Sequence, residues 1–595
     1  MRKDLEPPSE VDGQSVATSE ITQAEMKKRI KYGKPLQAAV GLFEEYCMSS
    51  TVHAVRYFGE KNRHWLERVW WIFAFALAVY YCGSLIHNVY IKWDQSPVIV
   101  SFAEKSTPVW EIPFPAVTIC PETKANMSQL NFTYVYHKIA ATLKPPFNIT
   151  DEEEELMDAV VQICDSHLTE GFEVGQNFTD SSITDLLRDV SFFTLKHAAT
   201  STLNVFQTAP SFNDTMFICK FRNAINYCQE YFEEIMTEEG LCFTFNVLNG
   251  SELYNDDLSP DYAQIDHNMS AKFWNLENGY NSSIDIDPQT YPYRVFGSGA
   301  RVGLFVLLKL YEQNLEYICR GPVQGFKILL HTPGEVPQVS KHYFRVPLLQ
   351  EVLVSVKPNM ITTSEGLRHY EPNRRQCYFD SERKLRFLKV YTQRNCELEC
   401  LANFTLSECG CVKFSMPRDK DTPICGAAKI ACYNRAEDNL LKEQFMEGLS
   451  LGRSAEKVKG CNCLPACTSI TYDAEISQSP FDWVSLFNAY NSPLDEFPGM
   501  QPARLSIFFK ENQFITSKRS ELYGPTDFLA NCGGLLGLFM GASFLSIVEL
   551  LYFFSLRLCC NLRVRMNRKR KNKIADSAVP GIVVIKPTSD DNKKE

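Results

Sequence analysis

The sequence is poor in the patterns that carry enzyme chemistry. Only ten histidines occur in 595 residues. There is no GxSxG nucleophile turn, no GxxxxGK[ST] phosphate loop and no HExxH zinc motif. An enzyme is a weak reading, and no catalytic residues are assigned. Regular CxxC pairs are missing, and no histidine falls inside the cysteine clusters. Zinc therefore lacks its usual ligand spacing, so no metal ligand and no cofactor are assigned. No long internal repeat or low-complexity tract is present. Basic charge is scarce where a nucleic-acid binder would need it. The net charge is −10, and between the two terminal segments 39 Lys/Arg stand against 56 Asp/Glu, leaving Glu549 aside. Nucleic acid is excluded as a partner on that balance.

Long apolar runs, by contrast, are present twice. Val69–Ile91 is 23 residues without Asp, Glu, Lys or Arg, and Phe528–Val548 is 21. After Glu549 the second run continues to Leu556. A bilayer core needs about 20 helical residues. The first run follows 68 mostly polar residues, so it reads as a signal anchor and not a cleaved signal peptide. Arg557, Arg563, Arg565, Arg568, Lys569, Arg570, Lys571 and Lys573 crowd the far side of the second run. Lys61, Arg63 and Arg68 precede the first. Excess Lys/Arg marks the cytosolic side, so both termini are expected in the cytosol. The expected division is a cytosolic segment 1–68, a first transmembrane helix 69–91, an extracellular cysteine-rich domain 92–527, a second helix 528–556 and a basic cytosolic tail 557–595. A plasma-membrane, multi-pass protein in contact with lipid follows.

Two further patterns agree. Nine N-x-S/T sequons, at Asn126, Asn131, Asn148, Asn177, Asn213, Asn249, Asn268, Asn281 and Asn403, all lie between the runs. So do sixteen of the 21 cysteines: Cys120, Cys164, Cys219, Cys228, Cys242, Cys319, Cys377, Cys396, Cys400, Cys409, Cys411, Cys425, Cys432, Cys461, Cys463 and Cys467. An even count in an oxidising compartment reads as a disulfide framework of up to eight bridges, with connectivity left open. Cys559 and Cys560 sit at the membrane edge, where palmitoylation or plain thiols are both open.

Between the spans, β-branched runs at 97–102, 114–120, 301–311, 325–331 and 351–356 predict strands. Acid-rich amphipathic stretches at 151–164 and 181–190 predict helices. The mixture predicts an α+β domain. The acids at 151–155 read as a solvated first helical turn or as a cation or proton sensor.

The second span is unusual. Gly533, Gly537 and Gly541 recur every four residues, a spacing that lets helix backbones approach closely. Asn531, Ala542, Ser546 and Glu549 fall near another stripe, and an intramembrane carboxylate is a functional candidate. Two spans cannot enclose a pore, so a pore requires an oligomer with symmetric rings. A ring of Glu549 would concentrate cations. Backbone carbonyls and the Ser543 hydroxyl would replace ion hydration, and Gly541 is a natural place for the helix to break.

These residues carry a family resemblance. FPAVTIC (114–120), GLCFTFN (240–246), the CELEC…CGC cluster, CNCLPACTSITY (461–472) and GLLGLFMGAS occur in this order between two spans. The chain resembles the epithelial sodium channel, degenerin and acid-sensing channel superfamily, closest to its insect pickpocket branch. The resemblance implies a homo- or heterotrimer of sodium-selective, usually amiloride-sensitive channels, with sodium as the permeant ion. It implies a hand-like ectodomain of palm, knuckle, β-ball, finger and thumb, with 396–467 as thumb. Gly541, Ala542 and Ser543 would be the selectivity filter. Ala530 would be the small residue that gating requires, and Trp93 the aromatic linking the first span to the thumb. Asn531 stands where acid-sensing relatives carry Asp, so their proton chemistry is not carried over. The family's cytosolic His-Gly gating motif is His53-Ala54 here. The extracellular stimulus is unknown: a ligand, protons, osmolarity or force. An ATP-gated trimeric channel shares the two spans but lacks a counterpart for its lysine-rich nucleotide site. A regulatory subunit silent without a partner, or a non-conducting receptor, is the alternative.

Overall fold

The computed structural model describes residues 34–575 apart from 61–62, 96–97, 128–129, 142–149, most of 151–159, 165–210, 260–261, 263–264, 282–289, 451–460, 494–495 and 523. The chain divides into two compact units, one of residues 1–97 with 522–595, the other of residues 98–521.

The first unit is helical. It holds α1 (Lys34–Ser49), α2 (Val55–Gly59), α3 (Trp65–Gln95), α6 (Pro525–Met540), α7 (Phe544–Tyr552) and α8 (Leu558–Ala575). Its 31 residues make α3 about 46 Å long at 1.5 Å per residue, enough to cross a bilayer. Trp65–Gln95 and Phe544–Val564 are both long and apolar enough for that. The α6 helix starts at Pro525, whose fixed φ suits a first turn, and the Asp527 carboxylate accepts from Gly524 N at 3.1 Å. Within this unit α3 packs on α6, with the Trp93 and Phe528 rings 5.5 Å apart. Tyr57 of α2 stacks on Trp71 of α3 at 4.3 Å.

The second unit is built on two sheets. In chain order its strands are β1 (Val98–Phe102), β2 (Ala116–Pro121), β3 (Met216–Phe221), β4 (Ala224–Asn226), β5 (Phe232–Thr237), β6 (Gly240–Phe245), β7 (Leu304–Tyr311), β8 (Gly325–His331), β9 (Phe344–Pro347), β10 (Gln350–Thr363), β11 (Ser469–Pro480), β12 (Met500–Phe509) and β13 (Ser517–Glu521). The larger sheet runs β1-β13-β10-β12-β7-β3-β4, with β11 also on β10; the smaller runs β9-β8-β2-β6-β5. Each of the five runs read as strands overlaps one, and 351–356 falls inside the longer β10. Phe114, Phe221, Phe245 and Phe509 meet edge to face in the core, with centroids 5.1–6.2 Å apart. The stretch 181–190 lies outside the described residues, as does half of 151–164, where the described Glu153, Met157, Val160 and Val161 are helical.

All sixteen cysteines between the spans are paired: 120–242, 164–319, 219–228, 377–467, 396–463, 400–461, 409–432 and 411–425. Four of these bridges lace α4 (Gln393–Cys409), α5 (Ile430–Ser450) and the adjoining loops at 411–425 and 461–463. A small covalent frame of this kind holds helices whose own core is thin. Of the described sequons, Asn131, Asn213, Asn268, Asn281 and Asn403 are exposed. The Asn249 side chain is already engaged, with Nδ2 donating to His267 O and Oδ1 accepting from Ser251 N. Asn148 and Asn177 lie outside the described residues.

His331 is buried between the sheets' residues, and burial pushes its imidazole down to about 3. Its Nδ1 faces Thr332 O at 3.0 Å and so carries the proton, leaving Nε2 to accept from Thr118 Oγ1 at 2.9 Å. An unfolded histidine titrates near 6.5. The unfolded chain therefore binds the extra proton between pH 6.5 and about 3, and stability is lost as pH falls through that window. The loss from this one group is about 2 kcal/mol at pH 5. The buried Glu335 carboxyl, raised by desolvation, acts with the opposite sign and is common to both proteins compared. His331→Gln should therefore lose less thermal stability than wild type between pH 7 and pH 5. Equal losses in thermal unfolding would refute the assignment.

Candidate functional site

The predicted break in the second apolar run is present. The α6 helix stops at Met540, and Gly541 takes φ +61°, ψ +19°. That left-handed conformation costs other L-residues about 1–2 kcal/mol. Gly541 N turns back to Gly537 O at 2.9 Å, and Ala542 N to Leu536 O at 3.3 Å. The carbonyls of Gly541 and Ala542 accept no backbone N–H among the described residues. Ser543 then opens α7, its N–H donating to Ser546 Oγ at 3.1 Å. The stripe from Asn531 to Glu549 is consequently not one continuous helical face. The phase resets at 541–543, and Asn531 spends its Nδ2 on Asp527 O at 2.9 Å.

The N-terminal segment enters this gap. His53 N donates to Met540 O at 2.8 Å, taking up a carbonyl that the break releases. The His53 ring fills the space beside Gly541, where a Cβ would lie 1.6 Å from Nδ1. A side chain at 541 would therefore displace the His53 ring, in addition to the cost of its φ. Thr51 reaches the next turn: its Oγ1 lies 2.7 Å from Ser546 Oγ and donates to Glu549 Oε2 at 3.0 Å, while Thr51 N donates to the same oxygen at 3.3 Å. One proton order satisfies all of them, Ser543 N–H to Ser546, Ser546 O–H to Thr51, Thr51 O–H to Glu549. Ser546 is buried in this chain.

The turn that presents Thr51 and His53 is strained. Ala54 holds φ +67°, ψ −24°, immediately before α2. Alanine adopts that region rarely, because its Cβ crowds the following carbonyl. The segment is anchored further down by the Glu45–Arg557 ion pair and by Tyr46 against Phe553, 5.5 Å between centroids.

Gly541, Ala542, Ser543, Ser546, Glu549, His53 and Ala54 therefore meet in one place. Ala530, Asn531, Gly533 and Gly537 lie along the exposed side of α6, and nothing of this chain comes within 4 Å of a Cβ built on either glycine. Thr51, Glu45, Tyr46 and Arg557 were missed by sequence reasoning. Only Thr51 had a signal, as the hydroxyl three positions before the irregular Ala54. No group of three metal-ligating side chains is found among the described residues.

Comparison with known proteins adds the following. The profile of the amiloride-sensitive sodium channel family matches residues 46–553. Pickpocket protein 28 of Drosophila melanogaster is 30% identical over 540 residues, covering 88% of this chain and 80% of the relative. Sodium channel protein Nach of the same species is 23% identical, covering 89% and 90%. Human acid-sensing ion channel 2 is 24% identical over 521 residues, covering 85% and 84%.

Proposed function

The chain belongs to the amiloride-sensitive sodium channel family, and from that premise we propose that it is one subunit of a trimeric, sodium-selective, amiloride-sensitive channel of the plasma membrane, opened by an extracellular stimulus. Membership makes it an ion channel subunit and not an enzyme. Three copies of α6 and α7 around an axis would form the pore, with Gly533 and Gly537 allowing close approach. The observation that carries the reading is the interruption at Gly541–Ser543. A helix that breaks inside an apolar span is tolerated where the freed carbonyls line a water-filled path. Three sets of Gly541 and Ala542 carbonyls with three Ser543 hydroxyls would replace the hydration shell of a small cation. Glu549, held by Thr51, would set the charge on the cytosolic side of that ring. Disulfides and sequons between the spans, and the basic segment after the second, support cytosolic termini.

Whole-cell recording with sodium and potassium exchanged, with and without amiloride, tests this. Sodium should set the reversal potential, and Ser543→Phe should abolish that selectivity or the current. An unaltered reversal potential in the variant would remove Ser543 from the filter. A second reading, a subunit that conducts little without a partner, is favoured by the strained Ala54 and predicts current only on co-expression.

A further inference from the structure

A cavity of about 400 Å³ in the disulfide-rich unit combines aromatic walls with acidic rims. Its volume lies in the range of small-molecule sites. Trp274, Tyr378, Phe379 and Tyr391 line it, all of them less than a tenth exposed. The charged side chains of the lining are Glu252, Glu277 and Asp380, and no Lys, Arg or His is among the described lining residues. Anions are therefore excluded.

The three carboxylates differ in what they already hold. Glu252 accepts from Ser270 Oγ at 2.6 Å and Ala271 N at 2.9 Å. Glu277 is paired with Arg368 at 2.7 Å, a guanidinium that also meets Glu365 and covers the outside of Phe379. Asp380 has no basic side chain within 4 Å among the described residues and accepts only the long bond from Tyr391 N at 3.4 Å. It is exposed at the mouth. One anionic position thus remains for one cationic group, beside rings whose faces attract cations. An inorganic cation would gain little from those rings, and one open carboxylate is too few oxygens to replace its hydration.

We propose that this cavity binds a small organic cation, an amine or guanidinium carried on an apolar or aromatic body, with Asp380 pairing its charge. The site joins three stretches of chain: the lining residues at 248–252 and 271–278, the segment 378–391, and Ala466–Thr468. The last is bridged through Cys467 to Cys377 and leads directly into β11, while Thr363 at the end of β10 donates to Cys467 O at 2.6 Å. An occupant therefore ties residues 271–278 to the root of the long β10–β11 pair. Its use as a gating ligand rests on the channel reading above. Its existence as a binding site does not.

The test uses the purified full-length channel and three probes of one shape: phenethylammonium, neutral 2-phenylethanol and anionic phenylacetate. Calorimetric titration without any current reads the affinities. The ammonium should bind about tenfold or more tighter than the alcohol, the gain expected of one shielded ion pair and ring contact. Phenylacetate should not bind. Asp380→Asn should remove the ammonium's advantage and leave the alcohol unchanged. Trp274→Phe, which keeps the volume of a ring, should weaken the ammonium more than the alcohol and serves if the first variant fails to assemble. Equal binding of ammonium and alcohol, no saturable binding, or an ammonium affinity untouched by both substitutions would overturn the proposal while leaving the channel reading intact. Amine binding by a protein that never conducts would instead count against the channel reading alone.

Discussion

Gly541→Ala should reduce current at least about tenfold at equal surface expression. Two costs add at that position. The left-handed backbone costs alanine about 1–2 kcal/mol, and each ~1.4 kcal/mol is tenfold in an equilibrium. The new methyl would also stand 1.6 Å from His53 Nδ1, so the ring or the loop must move. Movement of the loop breaks the His53 N–Met540 O bond that closes the helix end, whereas a turn of the ring alone leaves that bond in place. Adding His53→Ala separates the two costs, because it empties the space without changing the backbone. The double variant should conduct more than Gly541→Ala alone, a non-additivity expected of touching residues. Equal current in the single and double variants, normalised to surface protein, would show that His53 does not meet residue 541 in the working channel.

The opposite effect is expected at Ala54. Ala54→Gly removes about 1–2 kcal/mol of left-handed strain, a factor of about 5–30 in the equilibrium it biases. The relaxed turn is the one that presents His53 to Met540 and Thr51 to Glu549. Because those bonds hold the edges of the proposed filter, macroscopic current should rise at equal surface expression. Single-channel recording supplies the check: an unchanged open probability would mean that the strain at 54 is indifferent to gating.

How far the sequence carried the fold differs element by element. Run 325–331 was legible to the residue, because all seven residues of β8 are buried and Phe326, Ile328, Leu329 and Leu330 dominate it, with Lys327 paired to Glu239. The run at 301–311 begins as a strand only at Leu304, because Gly303 lies against Ile507 O and pairing starts after it. β11 left almost no trace, since its last eight residues are all exposed and its register comes from β10. The disulfide connectivity was not legible at all, because sixteen cysteines constrain count but not pairing. At the candidate site the break at Gly541 followed from glycine in an apolar run. Ala54 stood out as a departure from the family's His-Gly motif, and its φ of +67° is the conformation a glycine there would adopt at little cost. The Thr51–Glu549 contact was invisible: neither residue belongs to a local pattern that implies the other.

That contact spans 498 positions. At about 5–20 residues per second of synthesis, Thr51 leaves the ribosome roughly half a minute to two minutes before Glu549. Throughout that interval the N-terminal turn has no helix end to cap. A chain that ended before residue 549 would carry the 45–54 turn without the carboxylate that holds Thr51.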